Sequence, residues 1–296
     1  MTEIAYQHAQ SLHLASDDSI REFIESVDLV MDGIKTAYHV DCFPTRLNIK
    51  SLRQLICLMH YSFGVQRKVL VVVLSDDQQV VINPLRFIEK YENLKKGMWT
   101  EDILPLNVAG IAPFICTKEM LHNIQSSLIQ SCEGIYEMCV LSTGTASSLE
   151  FTPQESDIRI VRVNIDADVV GYDFFLGWLL DYVCIYHACK PSNLSLDRPH
   201  CLFMEPLLRT TFTAVCRKNR FGVADSYNHD EFYMVTLSQF TAPKIFLADE
   251  NEMAWFKYRV NKKLDYIRRQ CVPASYIAHD VNLIYDEIVL PSFRLE

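Results

Sequence analysis

A chain of 296 residues, 49% of them hydrophobic and 22% charged, is long enough to bury a sizeable core and too apolar to stay disordered. Its 37 acidic against 28 basic side chains give a net charge of −9, which opposes general attraction to nucleic acid or to an anionic membrane surface. The opening segment MTEIAYQHAQSLHLA carries an acid at position 3 and no basic leader, so it does not read as a signal peptide. Ten cysteines, scattered through apolar segments without a C-x-x-C, read as reduced thiols of a cytoplasmic or nuclear protein.

In chain order, SIREFIESVDLVMDG predicts an amphipathic helix. Ser19 and Glu22 match a capping box, Ile20, Phe23, Ile24, Val27 and Val30 form one stripe, and Gly33 stops it. TAYHVDCF predicts a short strand, and IKSLRQLICLMHYSFG a helix with Leu52, Leu55, Ile56 and Met59 on one face. RKVLVVVL is continuously apolar, as a strand buried on both faces is; SDDQ turns the chain into its hairpin partner QVVIN. Pro84 opens the helix LRFIEKYENLKKG, which Gly97 ends. KEMLHNIQSSLIQSC is a helix capped by Thr117. The small, polar, proline-containing stretch Leu141–Asp157 reads as linker and sets a soft boundary between two halves of a single unit.

IRIVRVNI is a strand, and the run Val169–Lys190 that follows is the most apolar of the chain. It is long enough to span a bilayer. Asp173 and Asp181 oppose that reading, because each would cost roughly 2.5–3.5 kcal/mol at mid-bilayer. Up to Leu180 its Phe, Leu, Gly and Trp suit a buried helix, capped by Asp166 or Asp168; from Tyr182 it reads Tyr-Val-Cys-Ile-Tyr, a strand. The expectation is therefore core rather than membrane. CLFMEPLLRTTFTAVCR and EFYMVTLSQF read as antiparallel strands, ENEMAWFKYRVNKKLDYIRRQ as a long helix and VNLIYDEIVL as a last strand. Hairpins mixed with strand–helix–strand units imply a mixed α/β fold, a parallel and antiparallel sheet flanked by helices.

AYHVDCF, the hairpin ending VVINP, LGWLLDYVCIYHA and CLFMEPL fall in an order that resembles an animal protein family with no established activity. The resemblance would span most of the chain and implies a single α/β unit; it brings no catalytic residue with it. That family's pattern has a proline just before the strand where this chain has Asp181-Tyr182-Val183.

Three constellations carry possible chemistry. Cys184, His187, Cys189, His200 and Cys201 are the ligand types zinc takes, but on a strand Cys184 and His187 point to opposite faces, so no metal site is assigned. Asp41, Asn83 and Asp166 each end a strand, where α/β proteins gather ligands, and Cys42 beside Asp41 is a candidate nucleophile. The competing reading is that Asp and Asn sit there to cap turns and helices. The helix at 250–270 carries Lys257, Arg259, Lys262, Lys263, Arg268 and Arg269, either a solvated face or a surface for an acidic partner or nucleic acid. STGTASS lacks the glycine and lysine pattern of a phosphate loop, and no G-x-S-x-G or H-E-x-x-H occurs. No cofactor is implied. The leading expectation is a non-enzymatic interaction or regulatory protein; the others are an enzyme or small-ligand binder at Asp41, Asn83 and Asp166, and acidic-partner binding through the basic helix.

Overall fold

The computed structural model describes residues 16–43, 47–63, 69–74, 78–109, 113–144, 158–166, 168–188, 206–217, 232–271 and 277–289. Among them six α-helices and three sheets make a mixed α/β fold. The apolar run Leu70–Leu74 is β2, buried at every position. It pairs antiparallel with β3 (Gln79–Ile82), which pairs antiparallel with β1 (Ala37–His39); on its other side β2 pairs parallel with β6 (Arg159–Val163). Because side chains alternate, Val71, Val73 and Val81 face one layer and Leu70, Val72, Val80 and Ile82 the other. The first layer is α1 (Asp17–Met31) with α2 (Ile49–Phe63), through Phe23, Val27, Leu52 and Ile56. The second is α3 (Pro84–Lys95), α4 (Lys118–Gly144) and α5 (Tyr172–Leu179), through Phe87, Leu94, Leu128, Ile135, Phe174 and Trp178. Layers on both faces are why the strand has no polar alternation.

The N-cap of α1 is Ser16, whose hydroxyl accepts the Ser19 N–H at 3.3 Å, so the Ser19–Glu22 capping box is corrected. The helix begins earlier because Asp17 and Asp18 complement its positive end. Gly33 and Gly97 end α1 and α3 with φ of +71° and +74°, the left-handed geometry that glycine adopts freely. Thr117 caps α4 as expected, but the helix runs 27 residues to Gly144 and takes up the first four residues of the linker-like stretch; positions 145–157 lie outside the described residues. One apolar cluster nevertheless joins Cys139 of α4 to Val161 and Val163 of β6 across that stretch.

The apolar run does fold as helix then strand, α5 into β7 (Cys184–His187). Neither Asp166 nor Asp168 caps α5: its N-cap is Gly171, and Asp166 instead accepts the Asp168 N–H at 3.1 Å in a turn upstream. β7 pairs parallel with β4 (Leu104–Asn107), which pairs antiparallel with β5 (Phe114–Ile115). The third sheet is antiparallel, with β8 (Pro206–Arg217) between β9 (Phe232–Pro243) and β10 (Ile277–Val289). A second cluster packs α6 (Glu250–Cys271) onto it through Phe256, Val260 and Ile267, with Leu207, Phe212 and Phe240 opposite. β7 serves both clusters, Ile185 in the first and Cys184 in the second. No helix among the described residues is long and apolar enough to cross a membrane, and the seven cysteines with described side chains form no disulfide.

Candidate functional site

The topology does not bring the three strand-end residues together. β1 runs antiparallel to β3, with Ala37 opposite Ile82 and His39 opposite Val80, so Asp41 and Asn83 leave opposite ends of the sheet. Asp166 shares an end with Asp41 but follows the other edge strand, three interstrand spacings or about 14 Å away. Each has a local task. Asn83 is buried, accepts the Arg86 N–H at 3.1 Å as the cap of α3, and donates to the Val30 carbonyl at 2.8 Å. Asp41 is exposed and faces His39 Nδ1 at 3.5 Å. Burial pushes the Cys42 thiol up to about 11, despite a hydrogen bond with Tyr38 that lowers it, which opposes a nucleophilic role.

Of the zinc-type residues, Cys189, His200 and Cys201 lie outside the described residues. His187 is fully engaged. Its Nε2 lies 2.7 Å from the Val169 carbonyl, which only accepts, so Nε2 carries the proton. Nδ1 then accepts from Asn107 Nδ2 at 3.3 Å, with the Asn107 oxygen fixed by the Ala109 N–H at 3.1 Å. Burial lowers the His187 pKa and keeps the ring neutral, and no lone pair is left for a metal. Cys184 is core, its thiol pushed up by burial. Among the described residues no three His, Cys, Asp or Glu side chains are grouped to hold an ion.

The basic helix spends most of its charge on its own chain. Arg259 is buried, lies over the Trp255 ring at 3.9 Å, and donates to the carbonyls of Thr100 (2.8 Å) and Glu101. Lys262 pairs with Asp102 at 2.6 Å and Lys263 with Asp181 at 3.6 Å; Arg268 reaches Asp265 at 3.7 Å. These bonds tie α6 to the 3-10 helix Met98–Glu101 and to the turn between α5 and β7. Lys257 and Arg269 stay exposed.

A different site is built where two sheet edges face each other. Among the described residues β9 pairs with β8 alone, so its outer side is an edge there, and β1 is likewise the edge of its sheet. Between them lies a cleft of about 630 Å³, lined by six consecutive β9 residues, Met234–Gln239, and opposite them by α1 and β1. The register of β9 against β8 shifts there: Thr236 faces Thr213 and Ser238 faces Phe212, leaving Leu237 as a bulge. Ser238 Oγ is buried without a hydrogen-bond partner among the described residues. On the facing wall α1 presents Glu22 and Glu25 one turn apart, with Lys35 and Asp41 alongside. Burial raises Glu25 to about 7, against Arg21 and Lys35, and lowers Lys35 to about 8, against Glu22 and Glu25. Burial and then Asp41 raise Glu22.

Of the strand-end candidates, Asp41 lines this cleft. Glu25, Lys35 and the β9 edge were missed, because a solvated helix face and a wall of a cleft share the same amphipathic pattern. Asp181, which also lines the cleft, had a usable signal: a carboxylate inside the most apolar run needs a cationic partner. No family model, no curated protein and no solved structure matches the chain.

Proposed function

We propose that the protein is a non-enzymatic interaction protein of the cytoplasm or nucleus, and that it takes an extended, cationic peptide segment in the cleft between β1 and β9. The observation that carries this reading is the run Met234–Gln239, six residues of an edge strand opening onto the cleft. Alternate N–H and C=O groups of an edge strand have no partner in their own sheet, so an added strand gains a ladder of main-chain bonds. The facing wall supplies the charge preference. Glu22, Glu25 and Asp41 stand against Arg21 and Lys35, and burial, with Glu22 beside it, lifts Glu25 to about 7 in spite of those two cations. A lysine or arginine on the incoming strand pairs with these carboxylates. A second reading, a small-ligand enzyme in the same cleft, draws on Glu25 and Lys35 titrating near neutrality.

Heptapeptides selected from a random display library against the full chain test the proposal. The expected outcome is a consensus bearing Lys or Arg, slowed amide exchange at Met234–Gln239 on binding, and at least tenfold weaker binding to Glu22→Lys/Glu25→Lys. Binding that leaves those amides unprotected, or that the charge reversal does not weaken, sinks it.

A further inference from the structure

Asp181 is the one non-glycine residue with positive φ, +61°, among those described. That backbone is unfavourable for a residue with a Cβ, and it is held here by an ion-pair arrangement. The Asp181 carboxylate contacts both Lys90 and Lys263. The two lysine side chains are 15% and 13% exposed and share a carboxylate that is 19% exposed. One positive charge is therefore sequestered there without an anion of its own. The ammonium of Lys90 sits 5.1 Å from the Trp178 ring and that of Lys263 5.2 Å from the Tyr266 ring, neither of which neutralises it.

Beside this cluster lies a cavity of about 240 Å³ bounded by α3, the 3-10 helix, the end of α5 and α6. Its lining holds five cations, Arg86, Lys90, Lys262, Lys263 and Arg269, against three carboxylates. All three carboxylates are engaged: Asp102 with Lys262, Glu89 with Arg86 at 3.2 Å, and Asp181 as above. Arg269 has no ion-pair partner among the described residues. A local excess of two positive charges in a chain of net −9 is not a general property of the surface. Burial, and after it Lys90, holds Lys263 below its ordinary range in spite of Asp181 and Asp102.

We propose that this cavity is a binding site for a phosphoryl group, with Lys90, Lys263 and Arg269 as its cationic ligands and Trp178 and Tyr266 as walls for the small molecule that carries it. A dianion matches the excess charge, and its oxygens accept from ammonium and guanidinium donors together. The volume suits a phosphate with a small substituent rather than a drug-sized ligand. Asp181 and Lys263 line this cavity and the β9 cleft alike, but Lys90, Trp178 and Arg269 line the cavity and not the cleft, so the assignment does not depend on the peptide reading.

Calorimetric titration of the full chain with inorganic phosphate and with phenyl phosphate, at ionic strength fixed by sodium chloride, tests the assignment. The expected result is saturable one-site binding. Tighter binding of phenyl phosphate assigns the site to a phosphate ester, and equal binding assigns it to the free ion; both support a phosphoryl site. Lys90→Gln should weaken the affinity at least tenfold and Arg269→Gln at least threefold. Arg269 is exposed, so that variant decides the matter if Lys90→Gln does not fold. No saturable binding of either anion to the parent, or affinities within twofold of the parent in the folded variants, overturns the proposal.

Discussion

Replacing Asp181 separates a charge effect from a backbone effect in one position. Asp181→Asn keeps a side chain that tolerates φ of +61° but removes the carboxylate shared by Lys90 and Lys263. Breaking a buried pair by removing one partner costs about 3–5 kcal/mol. Here the side chains are 13–19% exposed, so water retains a share of the solvation, and the loss should fall near the lower end, about 3 kcal/mol. Asp181→Ala loses the same charge and adds the left-handed penalty of a plain Cβ, about 1 kcal/mol more. The pH dependence carries a further signature. Burial alone would raise Asp181, but Lys263 and Lys90 hold it well below the usual carboxylate range. A depressed carboxylate contributes stability that is complete above its unfolded pKa, about 3.9, and disappears as pH falls through the folded value. The parent and Asp181→Asn should therefore differ fully at pH 7 and converge in acid. Urea unfolding of the parent and both variants at pH 7 and at pH 3 measures this: pH 3 lies below the unfolded pKa but above the folded one, so the gap should narrow there by about 1 kcal/mol without closing. An Asn cost below about 1 kcal/mol, or an Ala cost equal to that of Asn, would refute the reasoning.

Other consequences are as direct. Glu25 is raised to about 7 from 4.5, so the native state binds the proton more tightly and stability falls as pH rises across that window; Glu25→Gln should flatten the fall and leave the protein about 1 kcal/mol more stable than the parent at pH 8, read from urea midpoints at pH 5 and 8. A Cβ on Gly177 would meet Cγ2 of the buried Ile185 at 3.1 Å, so Gly177→Ala should cost about 1–3 kcal/mol in spite of its better helix propensity, measured by thermal unfolding. Because both nitrogens of His187 are occupied, His187→Phe should destabilise by about 1–3 kcal/mol through the orphaned Asn107 amide, and a chelator should leave the parent's unfolding midpoint where it was; a chelator-induced drop would reopen the metal question.

Periodicity and punctuation carried most of the fold. The continuous apolar run marked β2, Pro84 and Gly97 bracketed α3, and the change from Phe-Leu-Gly-Trp to Tyr-Val-Cys-Ile-Tyr marked the passage from α5 to β7. What escaped has physical causes. β4 is four residues long and contains Pro105, which lowers its strand character, yet it forms because β7 and β5 flank it. The extension of α4 past Cys132 rests on Ile135 and Cys139 packing into the core, not on propensity. The site was less accessible still. Lys90 and Asp181 stand 91 positions apart, and nothing local to either announces the other. Asp41, Asn83 and Asp166 each ended a strand as expected, but strand direction and order, which separate them, are set by tertiary pairing.

The parallel pairing of β2 with β6 has a consequence for a nicked chain. The two strands belong to segments on either side of positions 145–157, and they are registered residue for residue from Leu70 with Arg159 to Leu74 with Val163. Ile185 further along buries itself in the same cluster as Leu70 and Val72. A protease cut within 145–157 would sever the covalent path while leaving that ladder and that core in place. The two fragments should then migrate together until denatured and, expressed separately, find each other as complementing halves, so a reporter split at this position would read the folding of the whole protein.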